Sequence, residues 1–347
     1  MLSSLFWKPY SHLLIVTDKA GWVLDEEAKS LAKICQRLGL KSVVTKKVRF
    51  NISQLVHYTS QFALLDENIY QSRHRISIDY FHGKGEQSES LKKCFEALQK
   101  HHSQISRVRV SNYEMEQHIK SSGINPEKVM RIPIGIDTDL FTNQSREKRL
   151  EARKKLNLPA EAVVIGSFQK DGVGWGEGLE PKLIKGPDIF LKVVENLKLE
   201  TGNLFVLLSG PSRGYVKNGL DKMGVPYQHH YLEDYAQVSE LYDALDLYLV
   251  TSREEGGPKA CLESMAKGVP LVTTAVGQCA DLVKSGENAM MTSIDDIDGL
   301  STLAGQVLGN KALQTSLIQA GYKTAQDNSY QAQLPLWKNY FKELTTL

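Results

Sequence analysis

A chain of 347 residues exceeds what one hydrophobic core usually covers, so two domains of roughly 150 residues each are expected. With 41% hydrophobic and 24% charged residues the chain is too apolar to stay disordered, and 42 basic against 40 acidic side chains exclude a polycation built to wrap nucleic acid. Cys35, Cys94, Cys261 and Cys279 lie far apart, without metal-ligand or redox spacing, and read as reduced core residues.

In chain order, residues 1–16 contain only a four-residue apolar run and do not read as a signal peptide. That run, Leu13–Val16, predicts a strand. A polar turn over 18–24 follows, with Asp25 as the expected cap of a helix whose Ala28, Leu31, Ala32, Cys35 and Leu38 recur at helical spacing until Gly39. Residues 43–44, 55–58, 75–81 and 108–111 predict further strands, with helices over 89–102 and 112–121 between them. Such alternation implies a parallel sheet covered on both faces. The rhythm breaks after 129–134, and the charged stretch 142–160 reads as a linker. A second alternating series then starts, with strands at 163–168, 204–209, 247–250 and 271–274. The expected division is a first doubly wound domain over 1–141, a second over 161–325, and a C-terminal segment, 326–347, packing back toward the first. Within it Leu334, Trp337, Tyr340, Phe341 and Leu344 form an apolar helical stripe.

The first 140 residues carry 20 Lys and Arg against 15 Asp and Glu. Lys46, Lys47 and Arg49, then Arg73 and Arg75, then Arg107 and Arg109 form basic clusters. They would suit an acidic acceptor or anionic lipid, or simply a solvated surface. No stretch reaches the ~18 to 20 apolar residues of a membrane span, so a cytoplasmic protein is expected, with peripheral membrane contact left open.

Residues 252–270 read SREEGGPKACLESMAKGVP and follow a buried-looking strand directly. Pro258 suits a helix start, because its missing amide hydrogen has no partner there. Gly256 and Gly257 precede it, so the loop and the positive helix terminus form an anion site that a phosphate can approach closely. Glu255 in the turn and Glu263 in the helix are eight positions apart, and a carboxylate accepts two hydroxyl hydrogen bonds well. An acidic helix start that favours the dipole is the competing reading of that pair.

This segment resembles the glutamate, seven residues, glutamate signature of glycosyltransferase family 4, retaining enzymes of the GT-B fold. Residues 132–141, IPIGIDTDLF, resemble that family's interdomain passage, and 270–281, with Thr273, Gly277 and Asp281, its segment after the signature helix. The resemblance implies two Rossmann-like domains facing a central cleft. It implies a nucleoside diphosphate sugar as donor substrate, with no cofactor and no metal, and a glycan, lipid-linked or small-molecule acceptor with no nucleic acid. Glu263 would hold the ribose, Glu255 the transferred sugar, and the amides about Gly256 and Gly257 the sugar and diphosphate. Pro258, Lys259 and Ala260 complete that helix opening. Lys185 would neutralise the leaving diphosphate, and His82 would stand near the reacting sugar, with Lys84 toward acceptor or phosphate.

The family usually carries an arginine where this chain has Ser167, Phe168, Gln169 and Lys170, so Lys170 is the expected substitute and Arg213 a weaker diphosphate candidate. A lysine cannot make arginine's forked contact. Residues 172–183, GVGWGEGLEPKL, form an insertion that reads either as a lid over the donor or as a plain surface loop. Loop 19–22 keeps only Gly21 of the family's glycine-rich acceptor loop. Asp137, Thr138 and Asp139 suit a turn rather than a metal site, and neither His101-His102 nor His229-His230 has partners at zinc spacing. Competing readings of function are a sugar-nucleotide epimerase or hydrolase on the same scaffold, and a catalytically silent sugar-nucleotide-binding protein.

Overall fold

The computed structural model describes residues 12–17, 23–49, 53–83 and 88–345. The chain divides into two compact units, one formed by 1–133 with 333–347 and the other by 134–332. Each is built on one six-stranded sheet whose strand pairs all run parallel.

In the first unit the strands are β1 (Leu13–Val16), β2 (Ser42–Thr45), β3 (Leu55–Tyr58), β4 (Arg75–Asp79), β5 (Ile105–Val110) and β6 (Val129–Arg131), in spatial order β2-β1-β3-β4-β5-β6. The central strand β3 is buried throughout, whereas β2 lies at the edge and leaves Val43 and Val44 exposed. The first helix runs Val23–Arg37, so Asp25 lies inside its first turn, where it favours the helix dipole, and not at its cap. The C-terminal helix Leu334–Thr345 belongs to this unit and buries Trp337, Tyr340, Phe341 and Leu344 almost completely.

Arg109, read above as part of a basic surface cluster, is buried instead. Its guanidinium pairs with Glu27 at 2.8 Å and Asp79 at 3.3 Å, donates to the Ile132 and Pro133 carbonyls, and stands 4.6 Å from the Trp337 ring centroid. Arg75 likewise turns to the C-terminal helix, donating to the Leu344 carbonyl. Among the described residues no helix is long and apolar enough to cross a membrane.

The second unit contains β7 (Val163–Phe168), β8 (Leu204–Ser209), β9 (Tyr227–His230), β10 (Leu247–Val250), β11 (Leu271–Thr274) and β12 (Met290–Thr292), ordered β12-β11-β10-β7-β8-β9. One apolar cluster includes Val164, Leu207, Leu245 and Met265, and another Ile165, Val193, Val206 and Leu249, so successive β7 residues point to opposite covered faces. Within the stretch read as a linker, Arg146–Lys155 form a helix. It has little apolar face; Arg149 and Arg153 both pair with Asp246, and Arg153 also donates to the Ala162 and Ala244 carbonyls. The strand β9 is half-exposed and polar, and β12 has three residues, which hid both from a reading of apolar runs.

From β7 the chain steps outward to β8 and β9, then returns to β10 on the other side of β7. The loops leaving β7 and β10 therefore diverge at the carboxyl ends of neighbouring strands. In an open parallel sheet such a reversal of order is where ligands bind.

Candidate functional site

Two loops meet at that reversal. After β10 the chain runs through Ser252 and Glu255 into the helix Lys259–Lys267, and the loop after β7 ends in a short 3-10 turn, Leu183–Lys185, that leads to the helix Pro187–Glu200. Backbone bonds lace them together. The amides of Arg253 and Glu254 both donate to the Ile184 carbonyl, and the Thr251 hydroxyl donates to that of Gly186. Gly186 takes φ +61°, and a Cβ there would stand 1.9 Å from the Thr251 carbonyl oxygen, so only glycine permits this approach. The result brings Lys185 Nζ to 2.6 Å from Glu255 Oε2, while Ser252 Oγ donates to the other carboxylate oxygen at 3.0 Å.

The glycine turn is supported from the loop after β11. Gly277 has φ +50°, and a Cβ on it would lie 2.4 Å from the Glu255 carbonyl. The buried Gln278 amide side chain accepts from the Ile134 amide and donates to the Ile134 and Pro258 carbonyls. Pro258 immediately precedes the helix, which no side chain caps, so its opening amides at Lys259 and Ala260 keep the character of an anion site.

Glu263 is not on an exposed surface with Glu255. It is buried, and both its oxygens are engaged, one by the Tyr235 hydroxyl and the other by Tyr242 at 2.9 Å. Burial raises its pKa, and the two tyrosine bonds and the nearby Lys259 charge only partly offset that. Lys259 stands 5.0 Å from the Tyr235 ring centroid. Tyr242 is held in turn by edge-on contact with Phe168, the last residue of β7.

The β7 side differs from expectation. Ser167 is buried, and its hydroxyl accepts from Arg213. Arg213 is only 1% exposed; it donates to the carbonyls of Ser167, Gln169 and Ser209 and pairs with the fully buried Asp171 at 3.0 Å. Its guanidinium holds the protein together and does not present itself to a diphosphate. Gln169 donates to the Lys185 carbonyl at 3.2 Å and so acts on the position of that turn. Lys170 lies 3.8 Å from the Trp175 ring centroid, and burial lowers its pKa.

The insertion is pinned along its length. Gly172 bridges to Pro181, the Val173 amide donates to the Glu180 carbonyl, and Ser212 Oγ donates to Gly174 and Gly176. The carbonyls of Glu177 and Gly178 accept from the first amides of the helix Gly214–Met223. This is an anchored hairpin that caps a helix, and a hinged lid would lack those bonds.

His82 lies in the first unit, half-buried; Gln61 fixes its turn by donating to the His82 carbonyl and accepting from the Phe81 amide. Lys84 and residues 19–22 lie outside the described residues. Asp137 forms a turn, its carboxylate accepting from the Asp139 amide. His229 bonds the Gly210 carbonyl and His230 the Gln228 side chain. Tyr235, Tyr242 and Gln278 escaped the sequence reading because each acts by reaching another side chain or turn across the fold, and Ser252, three residues from Glu255, because a lone serine in a turn carries no signal of its own. Lys182 escaped as well: burial and the neighbouring charges of Lys185 and Lys170 depress its pKa, which places three lysines about one loop. The run Lys182, Lys185 in a glycine-bounded loop was the available signal.

Residues 179–324 match the family model described as Glycosyl transferases group 1. Among curated relatives, a D-inositol 3-phosphate glycosyltransferase of Stackebrandtia nassauensis is 28% identical over 184 residues, covering 48% of this chain and 38% of that protein. The lipopolysaccharide core biosynthesis mannosyltransferase LpsB of Rhizobium meliloti is 26% identical over 186 residues, covering 51% of this chain and 50% of its own. The matched stretches thus span half or less of those two relatives. Among solved structures, Anabaena Alr3699/HepE in complex with UDP and glucose aligns with a TM-score of 0.76 at 14% identity, over 96% of this chain and 99% of that one. A glycosyltransferase from Rickettsia africae aligns at 0.71 and 15% identity, over 98% and 100%. At that identity the likeness shows the fold, which is the two-domain, Rossmann-like α/β fold of GT-B glycosyltransferases.

Proposed function

We propose that this chain is a retaining, metal-independent glycosyltransferase of family 4 that moves a sugar from a nucleoside diphosphate to a carbohydrate, lipid-linked or small-molecule acceptor. The observation that carries the reading is the Lys185–Glu255 pair, held at the sheet's reversal beside an uncapped helix terminus whose next turn carries Glu263. Matching residues 179–324 to group 1 glycosyl transferases supports it, since that stretch contains all three side chains. The Anabaena neighbour's complex with UDP-glucose makes a uridine diphosphate sugar the first donor to test.

Both acids are occupied by partners from the protein itself, so donor binding is an exchange. Lys185 leaves Glu255 for the diphosphate, where its ammonium and the helix terminus stabilise the charge that develops on the departing oxygen. Glu255 is thereby released to accept hydroxyls of the sugar. Tyr235 gives up one Glu263 oxygen to the ribose while Tyr242 keeps the other. The departing phosphate oxygen takes the acceptor's proton on the same face, which retains configuration. Lys170 and Lys182 add positive charge beside Lys185, and His82 enters the proposal on its resemblance alone. Four buried thiols, none in a disulfide, suit the reducing cytoplasm. Peripheral membrane contact through the basic first unit is a further part of the proposal.

The test is transfer by K185A and E263Q, after a screen of nucleotide sugars for thermal stabilisation has named the donor. Each is expected to lose about a hundredfold or more in turnover with little change in melting temperature. Near-normal turnover in both would remove the assignment. Incubation of the donor without acceptor separates transfer from hydrolysis and epimerisation.

A further inference from the structure

Beside the anchored hairpin the second unit has a cavity of about 270 Å³ that the donor reading does not use. Trp175 of the hairpin and Tyr231, just past β9, both line it and stay 63% and 71% exposed. The backbone about Trp175 is tied down. Ser212, also in its wall, is one of few non-glycine residues at positive φ, +55°, and its hydroxyl bonds the carbonyls on either side of Trp175. A strained residue that ties down the backbone on either side of an exposed indole has a cost, and such costs cluster at ligand sites.

We infer that this cavity binds one neutral hexopyranose ring, as a carbohydrate site separate from the donor site. Large, stiff, amphipathic rings offer stacking area at low entropic cost, and exposed aromatics of this kind mark contact surfaces. Glu177 and Lys217 line the same cavity with opposite charges, and Arg213 in its wall is neutralised by Asp171. A phosphate or a carboxylate finds no net attraction there, while a sugar's hydroxyls, which both donate and accept, find an acceptor and a donor. The volume falls just below the ~300 Å³ at which drug-sized pockets begin, which leaves room for a single ring. The site holds a sugar unit of a glycan near the donor loop, since Trp175 also carries Lys170 on its ring. Its place beside a donor loop rests on the proposed function, whereas the binding of a sugar ring does not.

The experiment uses the full chain labelled with ¹⁵N. The Trp175 indole resonance is identified by its loss in W175F, then followed while methyl glycosides and trisaccharides of glucose, galactose, mannose and N-acetylglucosamine are added. At least one sugar is expected to shift it saturably, and Y231A and E177Q each to weaken that binding about tenfold, with UDP affinity held within about twofold of the parent. The inference is overturned if none of these sugars shifts the resonance saturably. It is equally overturned if UDP alone saturates that shift and both variants weaken UDP in parallel, because the cavity then belongs to the nucleotide.

Discussion

Lys182 is where single-residue physics gives the proposed donor site a measurable signature. Burial disfavours its ammonium, Lys185 and Lys170 add repulsion, and Glu255 and Glu254 only partly compensate, so its pKa lies below the ordinary 10.5. A diphosphate beside it would favour the charged form and raise that value on binding. In the interval between the depressed and the raised value, binding must take up a proton, so UDP affinity is expected to fall as pH rises through that interval. Stability of the free protein moves the other way: the unfolded chain holds the proton more tightly, so this group adds stability as pH climbs from the depressed value toward 10.5. Calorimetric titration of UDP at alkaline pH, in buffers of different ionisation enthalpy, reads the proton uptake directly. It should shrink in K182M, and an equal uptake in parent and variant would take Lys182 out of the donor's field.

At the scale of elements, the hairpin between β7 and the 3-10 turn shows how a loop becomes scaffold. Gly172 and Gly178 pack so closely on the Ser212 backbone that an added Cβ would lie within 2.4 Å of its carbonyl oxygen. Beneath them Arg213 joins Asp171 to three carbonyls. R213M leaves Asp171 buried without its ion-pair partner, at a cost expected near 3–5 kcal/mol. Chemical denaturation should show that loss, and limited proteolysis should open the chain around 173–180. An R213M protein as stable as its parent, yet weak for UDP, would instead make Arg213 a donor contact. Much of this architecture was legible beforehand, because Leu55–Tyr58, Val163–Phe168, Leu204–Ser209, Leu247–Val250 and Leu271–Thr274 are apolar runs that only a doubly covered sheet accommodates. The helix Arg146–Lys155 was not legible, since its arginines hold it through Asp246, a partner 93 residues beyond Arg153.

Across the whole molecule, the chain passes between its two units twice, at Pro133–Ile134 and again at Ala332–Gln333. The last segment completes the first unit, where Tyr340 stands edge-on to His57 at 6.0 Å and Trp337 meets Arg109. Ending the chain at residue 332 exposes apolar surface that Trp337, Tyr340, Phe341 and Leu344 cover, each worth about 1.5–3 kcal/mol, and leaves Arg109 with Phe81 alone of its two ring neighbours. The first unit is expected to melt well below the second, which keeps all its own residues, so calorimetry should resolve two transitions. A single transition at the parent's temperature would show that the helix contributes little.

Local rules were enough for the sequence by itself to determine the alternation of strand and helix and the glycine-flanked helix start at residues 256–258 with Glu255 and Glu263 about it, because hydrophobic period, turn chemistry and charge spacing are short-range properties; Lys185 became a candidate only through the family resemblance. Only the tertiary structure decided that Lys185 rests on Glu255, that Tyr235 and Tyr242 occupy Glu263, and that Arg213 and Arg109 are buried ties rather than surface cations. A side chain's partner depends on what the fold places within about 3 Å of it, the reach of a hydrogen bond, and spacing along the chain carries no record of that.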